Sequence, residues 1–203
     1  MSSYKTILAI LQSKADAERV LDSALPLASR FSAHLIAVHA EAIPIPYVTP
    51  MGFPDTDFIT TNTEINEKRS AEIQALFESR ATREGVSFEW QAMRNVSGDS
   101  AVSALAVART CDLIIAQQSD PEGEAGSQAN LETLLFESGR PVLFVPYAMT
   151  VSGTFRKVLV AWNGTQQAAR AAFDALPFIV QAEQTEILSL DAPDTEQQDG
   201  IVA

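Results

Sequence analysis

The sequence contains an internal repeat, and this repeat restricts the possible fold more than any other feature. A shift of 151 positions places Leu8 on Leu159 and Ile36 on Ile187 with no gap between them. Each copy begins with a short apolar run, at residues 7–11 and 158–162, followed by a polar turn, a helical segment and a second apolar run. A strand, a helix and another strand in this order form a βαβ unit, which predicts a parallel sheet.

Strand-like and helix-like segments alternate through the rest of the first copy. Val86, Phe88 and Trp90 alternate with polar residues, as expected for a strand at a sheet edge. After the first strand, the predicted elements are a helix that begins behind Ser13, a strand at 35–38, a helix at 63–84, a strand at 86–94, a helix at 101–109, a strand at 112–116, a helix at 129–137 and a strand at 142–145. This order predicts an α/β fold with a doubly wound, five-stranded parallel sheet.

Prolines mark two interruptions of this pattern. Pro26 removes a backbone donor inside the first helix, so we expect the helix to end or bend there, and Pro177 gives the same expectation in the second copy. Residues 43–60 contain four prolines among apolar side chains, which predicts a long irregular loop. This loop is either a flap beside the carboxyl end of the second strand or a cover for the core.

The second copy is much shorter than the first. We expect a complete domain at residues 1–147, a linker at 148–155 and a partial second repeat at 156–190. Residues 191–203 contain acidic side chains and no basic one, which predicts a disordered acidic tail. A single βαβ unit buries too little apolar surface to fold independently. We therefore expect this unit to pack against the first domain or a partner chain, unless the sequence is a truncation.

Composition excludes several classes of partner. The net charge of −12 disfavours nucleic acid and anionic membranes, because both bind basic surfaces. The sequence contains no run of eighteen apolar residues, so it predicts no membrane-spanning helix. Cys111 is the single cysteine, which excludes an intramolecular disulfide and fits the reducing cytoplasm. We therefore expect a cytoplasmic protein.

The sequence shows no catalytic or metal-binding constellation. His34 and His39 flank the predicted second strand, one at each end, so they do not form a metal-binding pair, and we expect each to be solvated or capping. Neither a Gly-x-Ser-x-Gly turn nor a Gly-x4-Gly-Lys-Ser/Thr loop is present. These observations predict a protein that is not an enzyme and holds no metal.

Segments distributed along the chain resemble the universal stress protein family. They are the first strand at 5–11, Ala24-Leu25 in the first helix, Val38-His39, Gly98-Asp99 before the third helix, Asp112-Leu113-Ile114-Ile115, and the fifth strand at 141–145. Residues 158–176 resemble the opening of the second repeat in tandem members of the family, with Trp162-Asn163-Gly164-Thr165 as the turn. The resemblance implies the strand order 3-2-1-4-5.

The resemblance also implies where a nucleotide would bind. Family members that bind ATP use an Asp at the end of strand one and a Gly-x2-Gly-x9-Gly-Ser/Thr loop after strand four, where backbone N–H groups approach the phosphates. The Asp position holds Gln12 in the first copy and Asn163 in the second. The loop positions hold Gln117, Asp120 and Gln128, although Gly123 and Gly126 keep a Gly-x2-Gly spacing several residues late. The candidate nucleotide-binding residues of this degenerate site are Gln12, Ser13, Val38, Gln117, Ser119, Asp120, Gln128, Asn163, Gly164 and Thr165.

These observations favour a universal stress protein that acts as a non-catalytic binding or regulatory module without a cofactor. The alternative is an adenine-nucleotide-binding stress protein that takes ATP with Mg²⁺ and acts as a sensor or a slow ATPase. Ser13 and Lys14 either hold an anion at the helix N-terminus or are a cap and a solvated lysine. The resemblance further implies a homodimer through the edge of strand five, at Val142 and Phe144.

Overall fold

The larger part of the chain folds into a parallel sheet with helices on both faces. The computed structural model describes residues 4–45, 55–122, 129–149, 151 and 154–189. The strands of this part are β1 (Thr6–Ile10), β2 (His34–Ala42), β3 (Phe88–Asn95), β4 (Leu113–Gln117) and β5 (Val142–Val145), and its helices are α1 (Lys14–Phe31), α2 (Thr56–Glu84), α3 (Ser100–Ala108) and α4 (Leu131–Glu137). The strands lie parallel in the order β3-β2-β1-β4-β5. The predicted doubly wound fold and its strand order are confirmed.

The chain divides into two compact units, with the boundary between residues 154 and 155. The smaller unit contains β6 (Lys157–Ala161), α5 (Gln166–Asp174), α6 (Leu176–Ile179) and β7 (Gln184–Leu188), and its two strands pair in parallel. Pro177 is the only buried residue among those described in this unit. The unit therefore has the βαβ order of the predicted partial repeat but almost no core of its own.

The centre of the sheet is fully apolar, as parallel strands covered on both faces require. Ile7, Leu8 and Ala9 of β1 are completely buried, and Leu113 to Ala116 of β4 are nearly so. On one face, small residues allow α3 to lie close to the strands. The cluster on this face consists of Leu8, Ile10, Ile36, Val38, Ala101, Ala104, Ala108, Cys111, Ile114, Ala116 and Leu134, with Val142 and Phe144 packed against it.

Two prolines with the same sequence context have different structural roles. Helix α1 runs without a break through Pro26, whose side chain faces solvent, so the prediction that the helix ends there is wrong. A solvent-facing proline removes one backbone hydrogen bond but displaces no packed neighbour, so surrounding packing tolerates it. In the second unit, Pro177 instead lies in the first turn of α6. A backbone N–H at this position would have no acceptor within the helix, so proline costs no hydrogen bond there.

Two element boundaries differ from the sequence-based prediction by four residues or more. Helix α2 begins at Thr56 rather than at residue 63, because Asp55 caps it by accepting a hydrogen bond from the Phe58 N–H at 2.9 Å. Residues 56–60 of the predicted loop are therefore helical, and residues 46–54 of that loop lie outside the described residues. Strand β2 continues to Ala42 instead of ending at Val38, and it includes two buried polar side chains, His39 and Glu41.

The two copies of the repeat differ in register. In the first unit Leu8 pairs with Ile36, whereas in the second unit Val160 pairs with Ile187 and Leu159 pairs with Glu186. The sequence match between Ile36 and Ile187 is therefore not a structural match, and the prediction of a repeat without gaps is wrong. The two isoleucines occupy strand positions that differ by one residue, which places them on opposite faces of their sheets.

Candidate functional site

The candidate site lies where the chain switches between the two faces of the sheet. Strands β1 and β4 are neighbours, and the helices that follow them pack on opposite faces, so their carboxyl ends border a crevice. Gln12 follows β1 and Gln117 ends β4, so both side chains lie at this crevice. The described residues that border it are Ile10, Gln12, Asp16, Ala116, Gln117, Gln118, Ser119, Asp120 and Ala129.

The space between these residues is very small. The enclosed volume is about 20 Å³, which is close to the minimum for a single water molecule. Pockets that bury a drug-sized ligand usually enclose about 300–1,000 Å³. The described part of the crevice is therefore a notch rather than a nucleotide pocket.

The polar side chains in this notch bind one another. The Gln117 side-chain N–H donates to Asp16 Oδ1 at 2.9 Å, and Gln117 Oε1 accepts from Arg19 Nη1 at 3.1 Å. One amide thus bridges a carboxylate and a guanidinium, both on the first two turns of α1. A ligand that binds in this described part of the crevice would have to compete with the bonds of the Asp16–Gln117–Arg19 network.

On the other side of the crevice, the Gln12 side chain also forms its hydrogen bonds with protein groups. Its Nε2 donates to the Gly98 carbonyl at 2.8 Å, and its Oε1 accepts from the Ser100 N–H at 2.8 Å. Both partners lie in the turn that leads into α3. Gly98 has a positive φ of 67°, and a Cβ added there would lie 2.7 Å from the Ala42 nitrogen. Gly98 is thus required for this turn to approach the end of β2, and Gln12 fastens the turn to β1.

The charge around the notch is mainly negative. Burial raises the pKa of Asp16, although its hydrogen bonds with Ser13 and Gln117 and the charge of Arg19 act in the opposite direction. Asp120 lies at the same notch and accepts from the Glu122 N–H at 3.0 Å, which brings a third acidic residue near it. Arg19 is the one basic side chain of the Asp16–Gln117–Arg19 network.

The structure brings some of the predicted site residues together and separates others. Gln12, Gln117, Ser119 and Asp120 border the notch. Ser13 caps α1 by accepting from the Asp16 N–H at 3.2 Å, which agrees with a capping role. Val38 is completely buried in the core cluster rather than at a strand end. Gln128 lies outside the described residues.

Sequence reasoning missed Asp16 and Arg19 as members of this network. Neither residue is among the candidate site residues predicted from the sequence. The signal that identifies them is helical spacing, because residues one turn apart on α1 face the same strand end.

The corresponding turn of the second unit is exposed. Gly164 has a positive φ of 72°, and Asn163 Oδ1 accepts from the Thr165 N–H at 3.2 Å and from its hydroxyl at 2.7 Å. Thr165 caps α5 through the Ala168 N–H at 3.3 Å. Asn163 and Thr165 border a shallow, mainly apolar depression of about 430 Å³ with Trp162, Ala168 and Leu188.

A buried ionic cluster at the end of β2 was not predicted from the sequence. His39 Nε2 lies 2.9 Å from Glu41 Oε1, and His39 Nδ1 lies 2.7 Å from the Leu11 carbonyl. Arg69 of α2 donates to both carboxylate oxygens of Glu41. Burial acts to raise the pKa of Glu41, but the bonds to His39 and Arg69 outweigh it and hold this pKa below its ordinary value. The expectation of a solvated or capping His39 is therefore wrong.

Other types of site find no support in the described parts of the chain. Within residues 4–45, 55–122, 129–149, 151 and 154–189, no three His, Cys, Asp or Glu side chains are grouped so that they could hold a metal ion. None of the helices described there combines the length and apolar character needed to cross a bilayer. Burial raises the pKa of the Cys111 thiol to about 11, so this cysteine is a poor nucleophile.

The fold defines an α/β protein with a doubly wound, five-stranded parallel sheet. No family model and no curated protein matches this sequence. Solved structures do match it. A universal stress protein from Archaeoglobus fulgidus DSM 4304 has a TM-score of 0.56 and 16% identity, and the match covers 91% of this chain and 78% of that chain.

Two further structures are similar to the larger unit. Universal stress protein UspA from Lactobacillus plantarum has a TM-score of 0.53 and 15% identity over 71% of this chain and 99% of its own. A universal stress protein in complex with cAMP has a TM-score of 0.49 and 18% identity over 72% and 99% of the two chains. The chain therefore has the universal stress protein fold, and the Archaeoglobus match, at 91% of the chain, extends into the second unit.

Proposed function

We propose that this chain is a universal stress protein of the tandem-repeat type that acts in the cytoplasm as a non-catalytic binding or regulatory module. The fold and the distributed sequence resemblance support membership of the family. The observation that carries the functional part is the closed notch at the switch point. There, Gln12 and Gln117 use their amide groups on protein partners, in the region where a doubly wound sheet binds its ligands.

These contacts support the proposal of a degenerate nucleotide site in the first unit. A ligand phosphate needs unpaired backbone N–H groups or basic side chains. Among the described residues, the Ser100 N–H donates a hydrogen bond to Gln12, and the Arg19 guanidinium donates one to Gln117. Acidic residues surround these groups. The first unit is therefore expected to lack useful affinity for ATP and to need no cofactor.

The alternative function is adenine-nucleotide binding with Mg²⁺, as a sensor or a slow ATPase. The observation that favours it is the turn of the second unit, where Gly164 and the exposed Asn163 border an open depression. Asn163 occupies the position that the family resemblance assigns to the nucleotide-binding Asp. In this alternative the second unit, rather than the first, would supply the site.

Mass spectrometry of the purified protein separates these two functions. After denaturation of the full chain, extracted small molecules are quantified against the protein concentration. The proposal predicts adenine nucleotide far below one molecule per chain. A stoichiometric amount would contradict it, and loss of that nucleotide in Asn163→Ala but not in Gln12→Ala would assign it to the second unit.

We further propose a homodimer through the open edge of β5, with no nucleic acid or membrane partner. Within the part of the chain that the structure describes, strand β5 pairs with β4 alone. The carbonyls of Pro141 and Val145 accept from β4, so alternation directs the backbone groups of Val142 and Phe144 away from the sheet. The side chains of these two residues pack on the core cluster, so their backbone groups would form the contact.

A proline substitution tests this edge without removing a bond of the sheet. Val142→Pro deletes an outward N–H, whereas Val142→Ala shortens the side chain and keeps that N–H. We expect sedimentation equilibrium to show the same mean mass for the wild type and for Val142→Ala, and a smaller mean mass for Val142→Pro, for a protomer of 21.9 kDa. A dimer that is equally stable in both variants would place the contact elsewhere.

A further inference from the structure

The second unit leaves one edge of its sheet open at a strand that is central in the first unit. Strand β6 pairs only with β7 among the described residues, whereas the equivalent strand β1 lies between β2 and β4. The equivalent leucines differ in burial as well, since Leu8 belongs to the core cluster that includes residues of α3. Leu8 is completely buried, and Leu159 is 60% exposed. Strand β6 thus has the sequence of an interior strand and the surroundings of an edge strand.

The backbone groups at this edge follow from the pairing of β6 with β7. The Arg156 carbonyl accepts from the Gln184 N–H, and the Trp162 N–H donates to the Leu188 carbonyl, so even-numbered residues of β6 face β7. Because backbone direction alternates along a strand, the N–H and C=O groups of Lys157, Leu159 and Ala161 face away from β7. These groups form a template for another strand.

The β6 edge carries little charge, and β5, which is also an edge strand, carries none. Strand β3 carries Glu89 and Arg94, and β7 carries an exposed Glu186. Strand β6 has only Lys157, at its first position. The described residues of the second unit contain three basic side chains (Arg156, Lys157 and Arg170) and three acidic ones (Asp174, Glu183 and Glu186), so they are neutral in a chain of net charge −12. Two copies can therefore approach here without the repulsion that the rest of the chain imposes.

We propose that the β6 edge pairs antiparallel with the β6 edge of a second copy, on a two-fold axis at Leu159. This register places Leu159 opposite the partner's Leu159 and Lys157 opposite the partner's Ala161, so no like charges meet. The outward backbone groups of all three residues gain partners. The result is a four-stranded sheet in the order β7-β6-β6-β7, which exceeds the two-stranded size that is marginal in water. This contact is separate from the one proposed at β5.

A single engineered cysteine tests the register. Facing residues of a hydrogen-bonded antiparallel pair have Cα atoms about 5.5 Å apart, within the range of about 4.4–6.8 Å that a disulfide bridges. Leu159→Cys in the full chain is therefore expected to form a covalent dimer under mild oxidation. The control is Phe136→Cys on α4, because Phe136 is also apolar and is 82% exposed. Cys111 is buried and contributes no reactive thiol in either variant.

The expected result is that Leu159→Cys cross-links at least roughly tenfold faster than Phe136→Cys, because pairing raises the effective concentration of the two thiols. Equal rates, or no cross-link at Leu159→Cys, would overturn the proposal. Adding Val142→Pro to Leu159→Cys should leave the cross-link intact, since β5 does not form this contact. Loss of the cross-link in that double variant would show that the β6 strands of two copies approach each other only when their β5 strands pair.

A backbone substitution provides a second test. Leu159→Pro removes the central outward N–H but no bond to β7, and Leu159→Ala keeps that N–H. Sedimentation equilibrium in the Val142→Pro background should show association for Leu159→Ala and a monomer for Leu159→Pro. Association that persists in Leu159→Pro would contradict pairing through β6, as would a monomer in Leu159→Ala.

Discussion

Replacement of Gly98 by alanine tests whether the turn before α3 is held against the end of β2. A Cβ at position 98 would lie 2.7 Å from the Ala42 nitrogen and 3.0 Å from the Ala42 Cβ, at a φ of 67°. Gly139 is a matched control, because its φ is 66° and a Cβ there would meet nothing within 4 Å. The two substitutions therefore share the backbone cost and differ only in the steric clash.

The expected magnitudes follow from these two terms. A left-handed conformation costs alanine about 1–2 kcal/mol, of which the reduced entropy of the unfolded chain offsets about 0.4–1 kcal/mol. Gly139→Ala should then lower the free energy of unfolding by roughly 0–1.6 kcal/mol. Gly98→Ala adds an overpacking cost of about 1–3 kcal/mol.

Thermal unfolding followed by circular dichroism measures this difference. In a chain of this size each kcal/mol corresponds to about 2–4 °C in Tm, so Gly98→Ala should melt roughly 2–12 °C below Gly139→Ala. Equal Tm values for the two variants would refute the close approach of Gly98 to Ala42. The Gln12 bonds would then have to hold the turn in a looser geometry.

Three further predictions concern stability and reactivity. Gln12→Ala should lower the free energy of unfolding in urea by about 1–3 kcal/mol, because it leaves the Ser100 N–H without its partner, whereas Ser119→Ala should have almost no effect. Glu41→Gln should destabilise the chain at pH 7. Because the pKa of Glu41 is lowered on folding, wild-type stability should begin to fall below about pH 4.5, and its difference from Glu41→Gln should shrink as the pH falls through the folded-state pKa, in urea melts from pH 3 to 7. Cys111 should react with a thiol reagent at pH 8 only after unfolding, because burial raises its pKa to about 11.

The sequence predicts the sheet well because its strands are buried on both faces. Strand β5 was predicted with its observed ends, and β1 and β4 to within one residue, since apolar runs between turn signals identify such strands directly. The end of β2 was missed for a physical reason. His39 and Glu41 look like solvent-exposed residues, and only Arg69, which is distant in the sequence, makes their burial favourable.

The site was only partly predictable for a similar reason. The crevice follows from the strand order, so Gln12 and Gln117 could be placed beside it. Their availability to a ligand could not be derived, because it depends on bonds to Gly98, Ser100 and Asp16 that geometry alone reveals. The register change in the second copy was also hidden, because a one-residue difference in loop length leaves the pattern of apolar residues nearly intact.

The central claim is that the switch point is closed to nucleotides, and the thermal stability of the full chain with and without Mg-ATP tests it most directly. A ligand at 100 times its Kd would stabilise the folded state by about 2.7 kcal/mol, equivalent to roughly 5–11 °C in Tm for a chain of this size. The account predicts a shift of less than about 1 °C at millimolar Mg-ATP, equal to that with Mg²⁺ and inorganic triphosphate. A shift of several degrees with Mg-ATP, retained in Asn163→Ala and absent with triphosphate, would contradict it.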